Sequence, residues 1–133
     1  MNLRAPVSSI MSVDLITVSP EDLISKIIDI FKREKIHHLP VIDEGKVVGI
    51  VSKSDVRSFK KGYCFEGQTG LPVSCKVKDI MTTGLAKMEP EDKIDVALEV
   101  FKENLFHAIL ITEDNHLRGI VTTLDIIKAL AEE

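Results

Sequence analysis

Gly49-Ile50-Val51-Ser52-Lys53-Ser54-Asp55 returns seventy residues later as Gly119-Ile120-Val121-Thr122-Thr123-Leu124-Asp125. Each stretch runs from an apolar, β-branched segment into a hydroxyl residue with an acid three places on, which is how a strand passes into a helix. The same offset holds outward in both directions. Val7 answers Val77, Ile10-Met11 answers Ile80-Met81, and Pro20-Glu21-Asp22 answers Pro90-Glu91-Asp92. Phe31-Lys32 answers Phe101-Lys102, and His37 answers His107, again without a gap. A repeat of this length means two copies of one small folding unit.

Each copy reads as short strand, helix, strand, strand, helix. Ser19-Pro20-Glu21-Asp22 has the composition of a helix start, with Ser19 at the N-cap and acids in the first turn. Leu23, Ile24, Ile27, Ile28 and Phe31 follow at helical spacing, as do Ile94, Ala97, Leu98 and Phe101 in the second copy. There Glu89 takes the N-cap position and is the poorer cap. Strands are expected at Leu39–Ile42 and Ala108–Ile111, and turns at Asp43-Glu44-Gly45 and Glu113-Asp114-Asn115. The return strands are Lys46–Val51 and His116–Val121. The second helix of copy one runs from about Ser54 to Lys61, with Gly62 as its stop, and its partner from about Leu124 to Glu132. The expected fold class is α/β, with two β-α-β-β-α repeats packed as a pseudo-two-fold. Residues 1–61 form the first motif, 62–76 a linker, and 77–133 the second motif.

Composition narrows the function. The chain has 133 residues, 44% of them hydrophobic and 29% charged, with a net charge of −4. A copy of this size buries too little surface to stand well alone, so a shared core is expected. The acidic balance and the shortness of Lys60-Lys61 and of the Lys76/Lys78 pair argue against nucleic acid and anionic membranes. No apolar run approaches the ~18–20 residues that cross a bilayer, and the first ten residues have no signal-peptide core, so a cytoplasmic location is expected. Cys64 and Cys75 sit in the linker without metal-ligand spacing and read as reduced thiols. Lys87 reads as a solvated lysine, and His116 as an exposed hairpin residue. His37 and His107 fall where a helix C-terminus would favour positive charge. No nucleophile elbow, P-loop or histidine pair with metal spacing occurs, so neither an enzyme nor a metal site is expected.

The repeated junction carries the remaining chemistry. A helix N-terminus offers unpaired amides to a phosphate, a Ser or Thr hydroxyl can donate to it, and an ionised Asp can accept both hydroxyls of a ribose. Ser52-x-x-Asp55 and Thr122-x-x-Asp125 equally fit a capping box that serves only the helix start. Both readings stand on the residues alone.

Taken together, the Ile-Met pairs, the Pro-Glu-Asp starts, His38-Leu39-Pro40-Val41 and the two Gly-Ile-Val-Ser/Thr-x-x-Asp junctions resemble a tandem pair of cystathionine-β-synthase-type (CBS) domains, a Bateman module. The resemblance spans residues 7–129. It implies clefts between the copies that bind an adenosine compound such as AMP, ADP or ATP, with NAD and S-adenosylmethionine as further candidates and no required cofactor. It also implies a homodimer that acts on a regulated protein. Carried over by position, one site would use Thr17, Val18, His38, Pro40, Thr122 and Asp125. The other would use Ser52, Asp55, Lys87, Met88 and His107 alongside Ala108. That second set departs from the pattern, with Lys87, Ala108 and Leu110 where the first has Thr17, His38 and Pro40. A structural or partner-binding module with degenerate, empty clefts is the alternative.

Overall fold

The computed structural model describes residues 1–59 and 75–133. The expected reduced thiol Cys64, the end of the second helix at Lys61-Gly62, and the linker residues Tyr63 and Phe65 lie outside the described residues. The elements in chain order are α1 (Ile24–Arg33), β1 (His38–Asp43), β2 (Lys46–Ser52), α2 (Lys53–Phe59), α3 (Val77–Ile80), β3 (Lys87–Met88), α4 (Ile94–Lys102), β4 (Ala108–Glu113), β5 (His116–Thr122) and α5 (Thr123–Ala131). A single 3-10 turn, Val7–Ser9, precedes them. The fold class is α/β, and the second copy shows the full β-α-β-β-α order in β3, α4, β4, β5 and α5. In the first copy the short opening strand shrinks to one parallel bridge, Val18 to Val41. Among the described residues no helix is long and apolar enough to cross a membrane.

The chain forms two compact units, and their limits differ from those of the sequence repeat. One unit is Ile16–Gly84; the other joins Met1–Leu15 to Leu85–Glu133. Each repeat therefore lends its first segment to the unit built on the other repeat. The hydrogen bonds show how. In the second unit the Val7 amide donates to the Asp92 carbonyl at 2.7 Å and the Ser8 amide to the Pro90 carbonyl at 3.1 Å, while Ile94 donates to Ala5 at 3.0 Å. In the first unit Val77 donates to Asp22 at 2.9 Å, Lys78 to Pro20 at 3.1 Å, and Ile24 to Cys75 at 3.1 Å.

That pairing overturns the expected helix starts. Residues 19–22 are not the first turn of α1. The Ser19 amide donates to the Asp22 carboxylate at 2.8 Å, and the Asp22 amide to the Ser19 carbonyl at 3.0 Å. This closes a separate turn, and Glu89 and Asp92 close the same one at 2.8 Å and 3.0 Å. Leu23 and Lys93 then stay extended, with ψ of 149° and 151°, and the helices begin at Ile24 and Ile94 without a side-chain cap. The turn leaves the carbonyls of Pro20, Asp22, Pro90 and Asp92 pointing outward, where the incoming segment uses them. Leu23 is accordingly exposed, and Ile30 takes its place on the buried face beside Ile24, Ile27 and Phe31.

Each hairpin closes on a two-residue loop with left-handed backbone at both positions. Glu44 and Gly45 have φ of 50° and 80°, and Asp114 and Asn115 have φ of 51° and 64°. This matches the right-handed twist of the flanking strands, and Gly, Asn and Asp are the residues that tolerate it best. β1 pairs antiparallel with β2 from His38–Ser52 to Asp43–Lys46, and β4 with β5 from Ala108–Thr122 to Glu113–His116. Both ladders slip at one point, between Val41 and Ile42 and between Ile111 and Thr112. In the second unit β3 adds a parallel strand through Lys87–Leu110 and Met88–Ile111.

Each unit has its own core. Val18, Ile27, Leu39, Val41, Val51 and Val77 fill the first, and Val7, Met88, Ile94, Ala97, Ile109, Ile111 and Val121 the second. Val7 and Val77 are fully buried, so the borrowed segments belong to these cores. Cys75 is buried against Ile24 and is disulfide-bonded, which corrects the expectation of a reduced thiol at that position.

Candidate functional site

The two glycine-led junctions occupy equivalent places. β2 delivers Ser52 to the start of α2, and β5 delivers Thr122 to the start of α5. Both form the capping box that the spacing allows. The Ser52 amide donates to Asp55 Oδ2 at 2.8 Å, and the Asp55 amide donates back to Ser52 Oγ at 3.1 Å. The Thr122 amide donates to Asp125 Oδ2 at 2.8 Å, and the Asp125 amide to Thr122 Oγ1 at 3.2 Å. The Thr122 hydroxyl also donates to Asp125 Oδ2 at 3.1 Å. These bonds satisfy amides that a helix start otherwise leaves open. They account for the Ser/Thr-x-x-Asp spacing without a ligand, and they leave the second carboxylate oxygen, Oδ1, facing away from the cap.

The glycines are explained by close packing. A Cβ on Gly49 would lie 2.6 Å from Met81 Sδ and 3.2 Å from the Thr82 carbonyl oxygen. A Cβ on Gly119 would lie 2.7 Å from Met11 Sδ and 2.9 Å from the Ser12 carbonyl oxygen. The Ile-Met pairs and the glycines are therefore one feature. The methionine of each borrowed segment lies over the glycine of the strand it joins, and Thr82–Ile50 and Ser12–Ile120 form backbone bridges one residue on.

Thr17, Val18, His38, Pro40, Ser52 and Asp55 lie in the first unit, and Lys87, Met88, His107, Thr122 and Asp125 in the second. Each of the two predicted ligand sets thus draws on both units. Within the first unit, the Val18 amide donates to the Pro40 carbonyl at 3.1 Å and Ile42 to the Val18 carbonyl at 2.8 Å. His38 stands opposite Ser52 across the hairpin. The first-strand segment, the His38–Pro40 segment and the Ser52/Asp55 cap are in this way brought onto one sheet. Thr17 is exposed, Val18 and Pro40 are buried, and His38 is half-buried. Within the second unit, Met88 is buried and Ala108 stands opposite Thr122. Lys87 is exposed and donates to Asn115 Oδ1 at 2.6 Å, so its ammonium is held at the hairpin loop.

His37 and His107 do not end helices, because α1 stops at Arg33 and α4 at Lys102. Their backbones do the capping instead. The His37 carbonyl accepts from the Lys53 amide at 3.1 Å, and the His107 carbonyl from the Thr123 amide at 3.4 Å. Their side chains are exposed.

Sequence reasoning missed one group and misassigned another, which it placed in a first helical turn. Ser12 donates to Asp125 Oδ1 at 3.2 Å. Its position one residue after Met11 was the available signal, once Met11 is known to pack on Gly119. Glu21 is the second. It accepts from Lys76 at 2.7 Å and from Lys78 at 3.0 Å, and these hydrogen bonds hold its carboxyl below the usual carboxylate range and raise the Lys78 ammonium. Among the described residues no cluster of three His, Cys, Asp or Glu side chains has the arrangement of a metal site.

Comparison with known proteins gives the fold its family. Residues 7–62 and 77–132 each match the CBS domain model. Inosine-5'-monophosphate dehydrogenase of Methanocaldococcus jannaschii is 36% identical over 117 residues, which is 86% of this chain and 21% of that protein. The chain therefore spans about a fifth of that relative. The CBS domain pair of protein MJ0100, solved with 5'-methylthioadenosine and S-adenosyl-L-methionine, superposes with a TM-score of 0.79 at 26% identity, covering 96% of each chain. CBSX2, solved with AMP, has a TM-score of 0.81 at 22% identity, covering 96% of this chain and 97% of its own, and shows likeness of fold. The two matched segments cover most of the sequence, and the chain belongs to the CBS domain family.

Proposed function

We propose that this chain is a regulatory module that senses an adenosine-containing small molecule and has no catalysis of its own. The observation that carries this reading is the solved CBS pair of MJ0100. It resembles this chain along nearly its whole length, and it was solved with two adenosine derivatives. The local chemistry supports it. Asp55 and Asp125 sit at helix starts, where anionic and sugar hydroxyl groups both find partners, and neither carboxylate spends both oxygens on its cap.

In this reading Asp55 and Asp125 take sugar hydroxyls, and the positive dipole ends of the helices that follow Ser52 and Thr122 favour a phosphate or carboxylate. Thr17, Val18, His38, Pro40, Thr122 and Asp125 form one set of proposed ligand contacts, and Ser52, Asp55, Lys87, Met88 and His107 a second set. The first set keeps a small hydroxyl at Thr17. In the second, Lys87 already has a partner in Asn115, and a ligand phosphate must compete for it.

Binding regulates only if the ligand prefers one conformation over another. The response then passes to a second copy and to a regulated protein. Leu124, Ile127 and Leu130 of α5 are 45%, 59% and 51% exposed and lie three residues apart, and this supports a homodimer through that helix.

Isothermal titration of the purified chain with AMP, ADP, ATP, NAD and S-adenosylmethionine tests the reading. Saturable heat with at least one, weakened at least ~10-fold by Asp125→Ala or Asp55→Ala, is expected from loss of a hydrogen-bonded charged acceptor. Absence of heat and of thermal stabilisation with every adenosine compound would refute it.

A further inference from the structure

We infer that Ser12 sets the sugar specificity of the Asp125 site by occupying an acceptor position that a ribose would use. The inference rests on the adenosine reading above and assigns a role to a residue outside the predicted ligand sets.

Ser12 is held in place by backbone. Its amide donates to the Ile120 carbonyl at 2.9 Å, and its carbonyl accepts from the Ile120 amide at 3.0 Å. With Met11 packed over Gly119, these bonds fix the segment two residues before the Thr122 cap. From there the Ser12 hydroxyl donates to Asp125 Oδ1 at 3.2 Å.

An ionised carboxylate offers about four lone pairs. On Asp125, Oδ2 accepts from the Thr122 amide and the Thr122 hydroxyl, and Oδ1 accepts from Ser12. About one position remains. A single sugar hydroxyl needs one, whereas a cis-diol that gives both hydroxyls to one carboxylate needs two. A ribose must therefore displace a donor, and a 2'-deoxyribose need not. Of the three donors, the Thr122 amide is fixed by the cap, and the Thr122 hydroxyl is also the acceptor for the Asp125 amide. The Ser12 hydroxyl is exposed and belongs to no cap, so it is the one that leaves.

The first unit provides the contrast. Asp55 accepts only from the Ser52 amide among the described residues. Thr82, which answers Ser12 at the same offset, bonds to Ile50 through its backbone in both directions, at 2.9 Å and 3.0 Å. Among the described residues its hydroxyl makes no bond to Asp55. Among the described residues, the same backbone pairing therefore brings a donor to a carboxylate oxygen in one unit and not in the other.

The test is titration of Ser12→Ala with AMP and with 2'-deoxyadenosine 5'-monophosphate, in an Asp55→Asn background so that the Asp125 site is read. Removing one charge-assisted donor is expected to tighten AMP by roughly 3–10-fold and to leave the deoxy compound unchanged. The ratio of the two affinities is thus expected to rise by the same factor. An unchanged ratio, or AMP weakened more than its deoxy analogue, would overturn the role of Ser12. Equal weakening of both, with a lowered melting temperature, would make Ser12 a structural residue and overturn it as well. If the unsubstituted chain bound neither nucleotide, this inference would fall, and the adenosine reading would fall with it only if the other adenosine compounds also failed to bind.

Discussion

Replacing Gly119 with alanine tests the close packing of the borrowed segment against β5. The added methyl would meet Met11 Sδ at 2.7 Å, Met11 Cγ at 2.9 Å and the Ser12 carbonyl oxygen at 2.9 Å. Contacts this short cannot persist, so something must move. The methionine can rotate away at modest cost. The Ser12 carbonyl has no such freedom, because it accepts from the Ile120 amide at 3.0 Å in the adjoining bridge. Overpacking of this kind costs about 1–3 kcal/mol, and the backbone contact puts Gly119→Ala in the upper half of that range. Gly49→Ala makes the internal comparison. Its clash is with Met81 Sδ at 2.6 Å and Cγ at 3.0 Å, while the Thr82 carbonyl stands off at 3.2 Å. A flexible side chain absorbs more of this, and about 1–2 kcal/mol is expected. Urea denaturation of both variants measures the difference. Adding Met81→Ala to Gly49→Ala should recover at least ~1 kcal/mol relative to the sum of the single changes, because the two residues are in direct contact. Adding Met11→Ala to Gly119→Ala should recover less, since the carbonyl contact remains. Gly119→Ala within ~0.5 kcal/mol of the unsubstituted chain would refute the reasoning, since surface changes away from such contacts fall in that range.

Three other perturbations follow from the same geometry. Glu21→Gln removes a carboxylate whose pKa is lowered by Lys76 and Lys78. A lowered carboxylate stabilises above its unfolded pKa, and the effect is lost as pH falls through its folded pKa, so the variant should show a flatter acid limb in melting temperature against pH. Lys78 shifts upward, so its contribution fades only as pH rises through the lysine range; identical acid limbs in the two proteins would contradict the assignment. Ile109→Ala and Leu39→Ala remove fully buried side chains from the two cores, and each should cost about 2–5 kcal/mol by chemical denaturation. Ile127→Glu places a charge in the exposed stripe of α5, and if the proposed homodimer forms through that helix, analytical ultracentrifugation should show a dimer for the unsubstituted chain and a monomer, with an unchanged circular dichroism spectrum, for the variant; a dimer as tight as before would refute the α5 contact.

Where the information is local, the sequence was a sound guide. Gly45 and the Asp114-Asn115 pair announce hairpins because few other residues accept the left-handed backbone that both loops have. The 3.6-residue spacing of Ile24, Ile27 and Phe31 marks a buried face, as the structure shows. Where the information is non-local, the reading slipped. Ser19-Pro20-Glu21-Asp22 has the composition of a helix start, yet it forms a turn whose carbonyls receive amides from a segment more than fifty residues away. Nothing within the motif distinguishes the two outcomes, since Asp22 can satisfy the Ser19 amide or a helix amide equally well. The ends of α1 and α4 were misplaced for a related reason. The charges of Lys32, Arg33 and Lys102 suit a helix end, but the exposed stretch beyond them carries no glycine stop to mark it.

The repeat itself hid the exchange of segments. In a sequence that says the same thing twice, Met11 fits Gly49 as well as it fits Gly119, and hydrophobic pattern offers no way to choose. The choice has a chemical consequence, because it decides which hydroxyl follows the methionine onto which cap. Gly119 receives Met11 and therefore Ser12, whose hydroxyl reaches Asp125. Gly49 receives Met81 and therefore Thr82, whose hydroxyl makes no bond to Asp55 among the described residues. Swap the segments and the two carboxylates would exchange their surroundings without any change in the Ser/Thr-x-x-Asp motifs. The motif therefore locates a carboxylate at each helix start, and, under the proposed function, the borrowed segment decides how much of it is left for a ligand. Differences between the two halves that look minor in the repeat, such as Ser12 against Thr82, are on this argument better guides to ligand preference than the conspicuous replacements at Lys87 and Leu110. Lys87 is tied to Asn115, and Leu110 is a fully buried strand residue, so neither presents a free polar group.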